Sequence, residues 1–263
     1  MRRRLALFVP LAVVLVAVAA TPAGADVFES TSSNWAGYAV SAADGATPLA
    51  YSNVSGAWKQ PTATCTDGAQ SYSAFWVGLG GLADGSQALE QVGTEANCSA
   101  SGVATYSVWY ELVPAAPVTI KLPIKAGDSI AASVAVSGRN VTVRITNVTQ
   151  KKKTFAKTLT MSSVAPDVSS AEWVAEAPSS CSSFRCRVLP LADFDNVTFV
   201  VAKATANGHT GTIADPLWNA SAISLASEVG QGRFGMVASP ASALPSPLSS
   251  DGSQFAVTYA QQP

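Results

Sequence analysis

Apolar and polar residues alternate one by one along much of this chain. The period of two is plain in Val118-Thr-Ile-Lys-Leu122, Ile130-Ala-Ala-Ser-Val-Ala-Val136, Val141-Thr-Val-Arg-Ile145, Val197-Thr-Phe-Val-Val201 and Gln254-Phe-Ala-Val-Thr-Tyr259. Such runs predict strands with one buried and one open face. Turn-forming groups fall between them, as in Ala126-Gly-Asp128, Ser137-Gly-Arg-Asn140 and Asn207-Gly208, at spacings that suit antiparallel hairpins. No stretch beyond the N-terminal segment repeats at the helical period. The expected fold is therefore all-β, a sandwich of two antiparallel sheets. Residues 239–252, rich in Pro, Ser and Ala, read as a long loop inside the domain, because alternation resumes after them.

The N-terminus follows a different pattern. Arg2, Arg3 and Arg4 precede an apolar run from Leu5 to Ala20 that is interrupted by Pro10 and followed by Ala23-Gly-Ala25. A basic start, a short apolar run and a small-x-small site make residues 1–25 a signal peptide, cleaved after Ala25. Residues 26–263 are then one exported domain with no second apolar segment long enough to span a membrane. Without the three arginines, 13 basic residues face 17 acidic ones and the formal charge moves from −1 to −4. That balance argues against a nucleic-acid partner, and Lys151-Lys-Lys153 reads as a solvated hairpin turn. Charged residues are few, so acidification would cost the native state little ion pairing.

Export makes disulfides the expected state of the four cysteines. Three pairings are possible, and Cys65–Cys98 with Cys181–Cys186 is favoured because the second closes a tight loop and the first ties two loops flanking a predicted hairpin. No Cys-x2-Cys repeat is present and His209 is the only histidine, so no zinc-type ligand set can be assembled. We expect neither metal nor cofactor.

Two short extended segments carry the polar chemistry. In Ala88-Leu-Glu-Gln-Val-Gly-Thr-Glu95 alternation puts Gln91, Gly93 and Glu95 on one face; in Ser170-Ala-Glu-Trp-Val-Ala-Glu176 it does the same for Glu172, Val174 and Glu176. Tryptophans lie on similar strands, Trp76 sharing a face with Ala74 and Trp109 with Glu111. Any one of them reads as a core filler, but several beside carboxylates suggest a cleft wall. Other chemistries fall away. His209, in Ala206-Asn-Gly-His-Thr-Gly211, reads as part of a turn, a poor place for the general base of a serine triad. No Gly-x-Ser-x-Gly elbow and no Asp-Thr-Gly or Asp-Ser-Gly pair occurs.

Six blocks, in order, resemble the glutamic endopeptidases or eqolisins, and especially their bacterial relatives. They are Ser33-Asn-Trp-Ala-Gly-Tyr38, Val54-Ser-Gly-Ala-Trp-Lys-Gln-Pro61, Ser73-Ala-Phe-Trp-Val-Gly-Leu-Gly-Gly81, Ala88-Leu-Glu-Gln-Val-Gly-Thr94, Trp109-Tyr-Glu-Leu112 and Ser170-Ala-Glu-Trp-Val-Ala-Glu-Ala-Pro-Ser179. The resemblance implies a lectin-like (concanavalin-like) β-sandwich and acid endopeptidase activity, with a catalytic Gln and Glu that fall on Gln91 and Glu172. It places Trp35 and Trp76 among cleft aromatics and Glu95 and Glu111 at acidic positions near the pair, with Trp109 on the same face as Glu111. Glu176 is a supporting carboxyl. Burial should raise the pKa of Glu172, and hydrogen bonds from Gln91 should oppose the rise.

The pattern departs from the fungal members at Gly80, where they carry an aspartate after Trp-Val-Gly-Ile, so an acidic neighbour is expected to be missing there. The exported chain is expected to act as a monomer on polypeptides. Two other uses of such a sandwich are a carbohydrate-binding module and a glycoside hydrolase pairing Glu172 with Glu95 or Glu111.

Overall fold

The computed structural model describes residues 27–43, 45–151, 153–182, 185–226 and 241–261; the expected signal peptide, 1–25, lies outside them. No helix forms among the described residues. The first part of the chain forms strands β1 Val27–Ser32, β2 Trp35–Ser41, β3 Tyr51–Lys59, β4 Ala74–Leu79, β5 Leu89–Cys98, β6 Ala104–Val113, β7 Val118–Ile120, β8 Ser129–Ser137, β9 Asn140–Asn147 and β10 Lys153–Thr160. The second adds β11 Ser170–Glu176, β12 Ser179–Ser182, β13 Arg185–Val188, β14 Asn196–Ala206, β15 His209–Gly211, β16 Asn219–Leu225, β17 Ala241–Pro245 and β18 Phe255–Gln261.

Apart from the β12–β13 hairpin, these strands join one hydrogen-bonded path, β10-β9-β8-β3-β14-β18-β17-β16-β2-β11-β4-β5-β6-β7, with β15 on β14 and β1 on β16. The path doubles back so that β3, β8 and β14 pack against β4, β5 and β11. The result is the expected all-β sandwich. Alternation supplies the core: Val134 and Val143 from one layer meet Val77 and Val92 from the other. Trp173 locks the two together. Its Nε1 donates to the carbonyl of Ser55 at 2.8 Å, and its ring fills the space over Gly56, where a Cβ would lie 2.9 Å from Cδ1.

Three local expectations are corrected. The long loop of residues 239–252 contains β17, whose backbone pairs with β18 and β16. His209 is in a short strand and not in a turn; the turn is Asn207-Gly208, and His209 Nε2 pairs with Asp215 Oδ2 at 2.8 Å. One strand breaks the antiparallel rule, since β1 runs parallel to β16. Cys65 is bonded to Cys98, tying the loop before β4 to the end of β5, and Cys181 is bonded to Cys186 across the β12–β13 hairpin.

Candidate active site

β11 is buried on both faces. Ala171, Trp173 and Ala175 enter the main core, whereas Glu172, Val174 and Glu176 alternate onto the opposite face, where Val174 joins a small cluster with Trp76, Trp109, Leu89 and Ala74. Strand register arranges this face in rows. One row crosses as Ser221, Ala39, Glu172, Gly78, Gln91 and Glu111. The next runs Ile223, Gly37, Val174, Trp76, Gly93 and Trp109, and a third holds Trp35, Glu176, Ala74, Glu95 and Ser107.

The register therefore brings Glu172 and Gln91 into one row, two strands apart, or about 10 Å between Cα atoms at ordinary strand spacing. Only Gly78 stands between them, and it has no side chain to fill the gap. The Trp76 indole covers this glycine: a Cβ at Gly78 would lie 2.9 Å from its Cζ3. The other end of the same ring donates Nε1 to Glu176 Oε2 at 2.7 Å. Trp76 thus lies along β4 as a floor beside the pair, with Trp35 meeting it edge-on at 5.0 Å between centroids. Gly93 permits this packing, because a Cβ there would come within 2.6 Å of Trp76 Cβ.

Gln91 is held in place. Its Nε2 donates to Glu111 Oε2 at 2.7 Å, which leaves the second amide hydrogen and Oε1 unused. Glu172 is fully buried, and neither of its oxygens has a hydrogen-bond partner among the described residues. Gln91 Oε1, Ser170 Oγ and Trp109 Nε1, all from residues on the same face, are likewise buried and unpartnered. Polar atoms so placed are costly unless something polar meets them.

Burial dominates the electrostatics of the site. It pushes Glu172 well above the ordinary 4.5; the nearby Ser170 hydroxyl is the next influence and opposes the rise, though outside hydrogen-bond geometry, and the carboxyls of Asp167 and Glu90 add smaller rises. The expected counterweight from Gln91 is absent because its amide turns to Glu111. Burial also raises Glu111 against that hydrogen bond. Glu176 is pushed up to about 7, chiefly by burial, although Trp76 and Asn34 both donate to it. Its outer edge remains partly exposed, yet protein surrounds the carboxyl itself.

The other expected site residues divide. Trp35, Trp76, Trp109 and Glu111 share the face with the pair, and Glu111 touches Gln91. Glu95 shares the face but not the contact, its carboxylate being taken by Asn97 and Ser107. The missing acid at Gly80 is corrected by the fold, which brings Asp167 there from the segment before β11; a Cβ at Gly80 would lie 2.4 Å from Asp167 Cβ. Nothing local in the sequence announces that contact. Glu90 also borders this region, and alternation already places it opposite Gln91, facing the core with Val92.

The all-β sandwich thus brings a buried carboxyl and an anchored carboxamide into one row across an open glycine. Comparison with known proteins assigns the class. Residues 33–229 match the model of the peptidase A4 family. Aspergillopepsin-2 of Aspergillus niger is 31% identical over 205 residues, covering 69% of this chain and 67% of the relative. Scytalido-glutamic peptidase, solved with a transition-state analog inhibitor, superposes with a TM-score of 0.66 at 22% identity, covering 86% of this chain and 98% of the other. SCP-B, solved with the tripeptide Ala-Ile-His, gives a TM-score of 0.61 at 22% identity over the same shares. The chain belongs to the peptidase A4, or eqolisin, family and is a glutamic-type endopeptidase.

Proposed function

We propose that residues 26–263 form an exported, monomeric endopeptidase in which Glu172 is the general base and Gln91 the oxyanion donor. The supporting observation is their common row across Gly78, with Glu172 unpartnered and Gln91 anchored by Glu111. Peptides are the natural substrate class, since the solved relatives hold a peptide-based transition-state analog and a tripeptide. Two disulfides and the likeness to Aspergillopepsin-2 favour export.

In this reading a water above Gly78 gives a proton to Glu172 as its oxygen attacks the scissile carbonyl carbon. The carbonyl π electrons move to oxygen, and the free Gln91 N–H meets the oxyanion; one such donor is worth about 3 kcal/mol. The tetrahedral intermediate then collapses, the C–N bond breaks, and Glu172 returns its proton to the leaving amine. Trp35, Trp76 and Trp109 flank the peptide, Trp109 with an unused N–H donor. A raised pKa makes Glu172 a stronger base once ionised, and places the acid limb of activity above the ordinary glutamate value of 4.5.

A glycosidase reading is disfavoured because Glu111 is committed to Gln91 and Glu95 to Asn97 and Ser107. The decisive test is cleavage of an unfolded protein across an acidic pH series. Glu172→Gln should abolish activity and Gln91→Ala should lower kcat by 100-fold or more, on the order of one lost oxyanion donor. Full activity in Glu172→Gln refutes the assignment.

A further inference from the structure

Asp167 lies in the segment that leads into β11, far along the chain from two of the groups it binds, Gly81 and Ser86. Its carboxylate accepts from the backbone N–H of Gly81 at 3.1 Å, from the hydroxyl of Ser86, and from the N–H of Ser169 at 2.9 Å. Its own N–H faces Glu90 Oε1 at 3.4 Å, and the neighbouring Gly80 N–H donates to the carbonyl of Ser170 at 3.1 Å. These bonds collect the exit of β4, the loop entering β5 and the start of β11. Those are the strands that carry Gly78, Gln91 and Glu172.

The contact at Gly80 is close. A side chain there would collide with the Cβ, backbone oxygen and Cγ of Asp167, all within 2.7 Å of a built Cβ, and the residue sits at φ +81°, where glycine is favoured. We propose that Asp167 is a positioning residue for the reaction: it clamps the ends of these three strands so that Glu172 and Gln91 keep their separation across Gly78. The same carboxylate, ionised among its donors, also weighs against ionisation of Glu172. This rests on Glu172 being the base.

The surroundings support a charge at Asp167 in particular. Burial would raise its pKa, but the hydrogen bonds from Ser86, Ser169 and Gly81 outweigh burial and hold it below the usual aspartate range. The titratable groups whose charge reaches Glu172 from the packed elements are Glu90 on the other face of β5, Tyr51 on β3 and Asp167; Glu176 is on its own strand and Glu111 lies beyond Gln91 in the row. Across that row β4, β2 and β16 present Gly78, Ala39 and Ser221, none of them titratable. Burial pushes Glu90 up to about 8 and keeps it neutral in acid, and Tyr51 is raised further from ionisation. Asp167 is thus the ionised neighbour within the acidic range.

The test compares pH profiles of kcat/KM, whose acid limb reports the free enzyme's base. Asp167→Asn keeps an acceptor and removes the charge, and should move the limb to lower pH by about one unit. Asp167→Ala removes the clamp as well and should also lower kcat at the plateau by about tenfold, with KM changed less. Glu90→Gln and Ser86→Ala, which remove no charge in acid, should leave the limb in place.

A plateau kcat unchanged by Asp167→Ala overturns the proposal, and a limb unmoved by Asp167→Asn, or moved equally by Glu90→Gln, removes its electrostatic part. Should Asp167→Asn fail to fold, carbon-13 titration of the carboxyls in the unmodified protein decides that part: Asp167 must ionise at lower pH than Glu172, and the reverse order removes it. Glu172→Gln measured alongside separates the two readings. Retained activity there removes the base assignment itself, whereas an inactive Glu172→Gln with an unchanged Asp167→Ala plateau removes only the role of Asp167.

Discussion

Gly78 shows how much of the site depends on a missing side chain. A methyl group at that position would meet the Trp76 ring at 2.9 Å and the Glu90 carbonyl at 3.2 Å, and it would stand in the gap between Glu172 and Gln91. Gly78→Ala should therefore cost about 1–2 kcal/mol of stability through overpacking and lower kcat by tenfold or more. Denaturant melts and steady-state kinetics on the same preparation check both; unchanged kcat would show that Gly78 does not border the reacting atoms. Glu111 acts one step further out. Its removal in Glu111→Ala frees the Gln91 amide to rotate, and kcat should fall about 10- to 100-fold with a small change in KM, because a misoriented donor loses transition-state stabilisation. At this scale the sequence was informative wherever alternation decides the outcome: the faces of Glu172, Gln91, Trp76 and Glu111 follow from the period of two. It was silent on Asp167, whose contact with Gly81 joins segments that no local pattern relates.

Elements were legible in proportion to their own β-propensity. β8, β9, β14 and β18 have alternating Val, Ile, Thr or Phe and declare themselves. β17, Ala-Ser-Ala-Leu-Pro, lacks β-branched residues and ends in proline; it is a strand because β16 and β18 offer it backbone partners. β1 hides for a similar reason, being largely exposed and held by parallel pairing to β16 alone. The two disulfides also act on elements of different reach. Cys65–Cys98 spans 33 positions and Cys181–Cys186 spans 5, so the loop-entropy model assigns them about 4 and about 2 kcal/mol respectively. Replacing Cys65 and Cys98 by serine should lower the melting temperature more than replacing Cys181 and Cys186. The opposite order in calorimetry would mean that native contacts of the hairpin, and not chain closure, set its contribution.

For the whole molecule the decisive property is the number of carboxyls kept out of water. Glu172 and Glu111 are raised above 4.5, Glu176 to about 7 and Glu90 to about 8, in each case chiefly by burial. A group whose pKa is higher in the native state than in the unfolded chain binds its proton more tightly when folded. Its contribution is complete below about pH 4.5 and is lost as pH rises through 7 to 8. For Glu90 alone the rise from 4.5 to about 8 corresponds to something of order 5 kcal/mol. Asp167 and Asp251 work the other way, since hydrogen bonds hold both below 3.8 and their contribution fades only in stronger acid. Stability should peak near pH 4 and fall steadily toward pH 8; a melting temperature higher at pH 8 than at pH 4 contradicts this. Glu90→Gln should raise the melting temperature at pH 8 while changing it little at pH 4.

Glu90, turned inward behind Gln91, has a consequence for where such a protease can act. A copy carried from acid into neutral surroundings should meet rising pressure to ionise in its own core, and its fold should loosen. The lifetime of the folded protein should then follow the local proton concentration. Half-life measured after a jump from pH 4 to pH 8, in the parent and in Glu90→Gln, reads that dependence directly; the variant should outlast the parent.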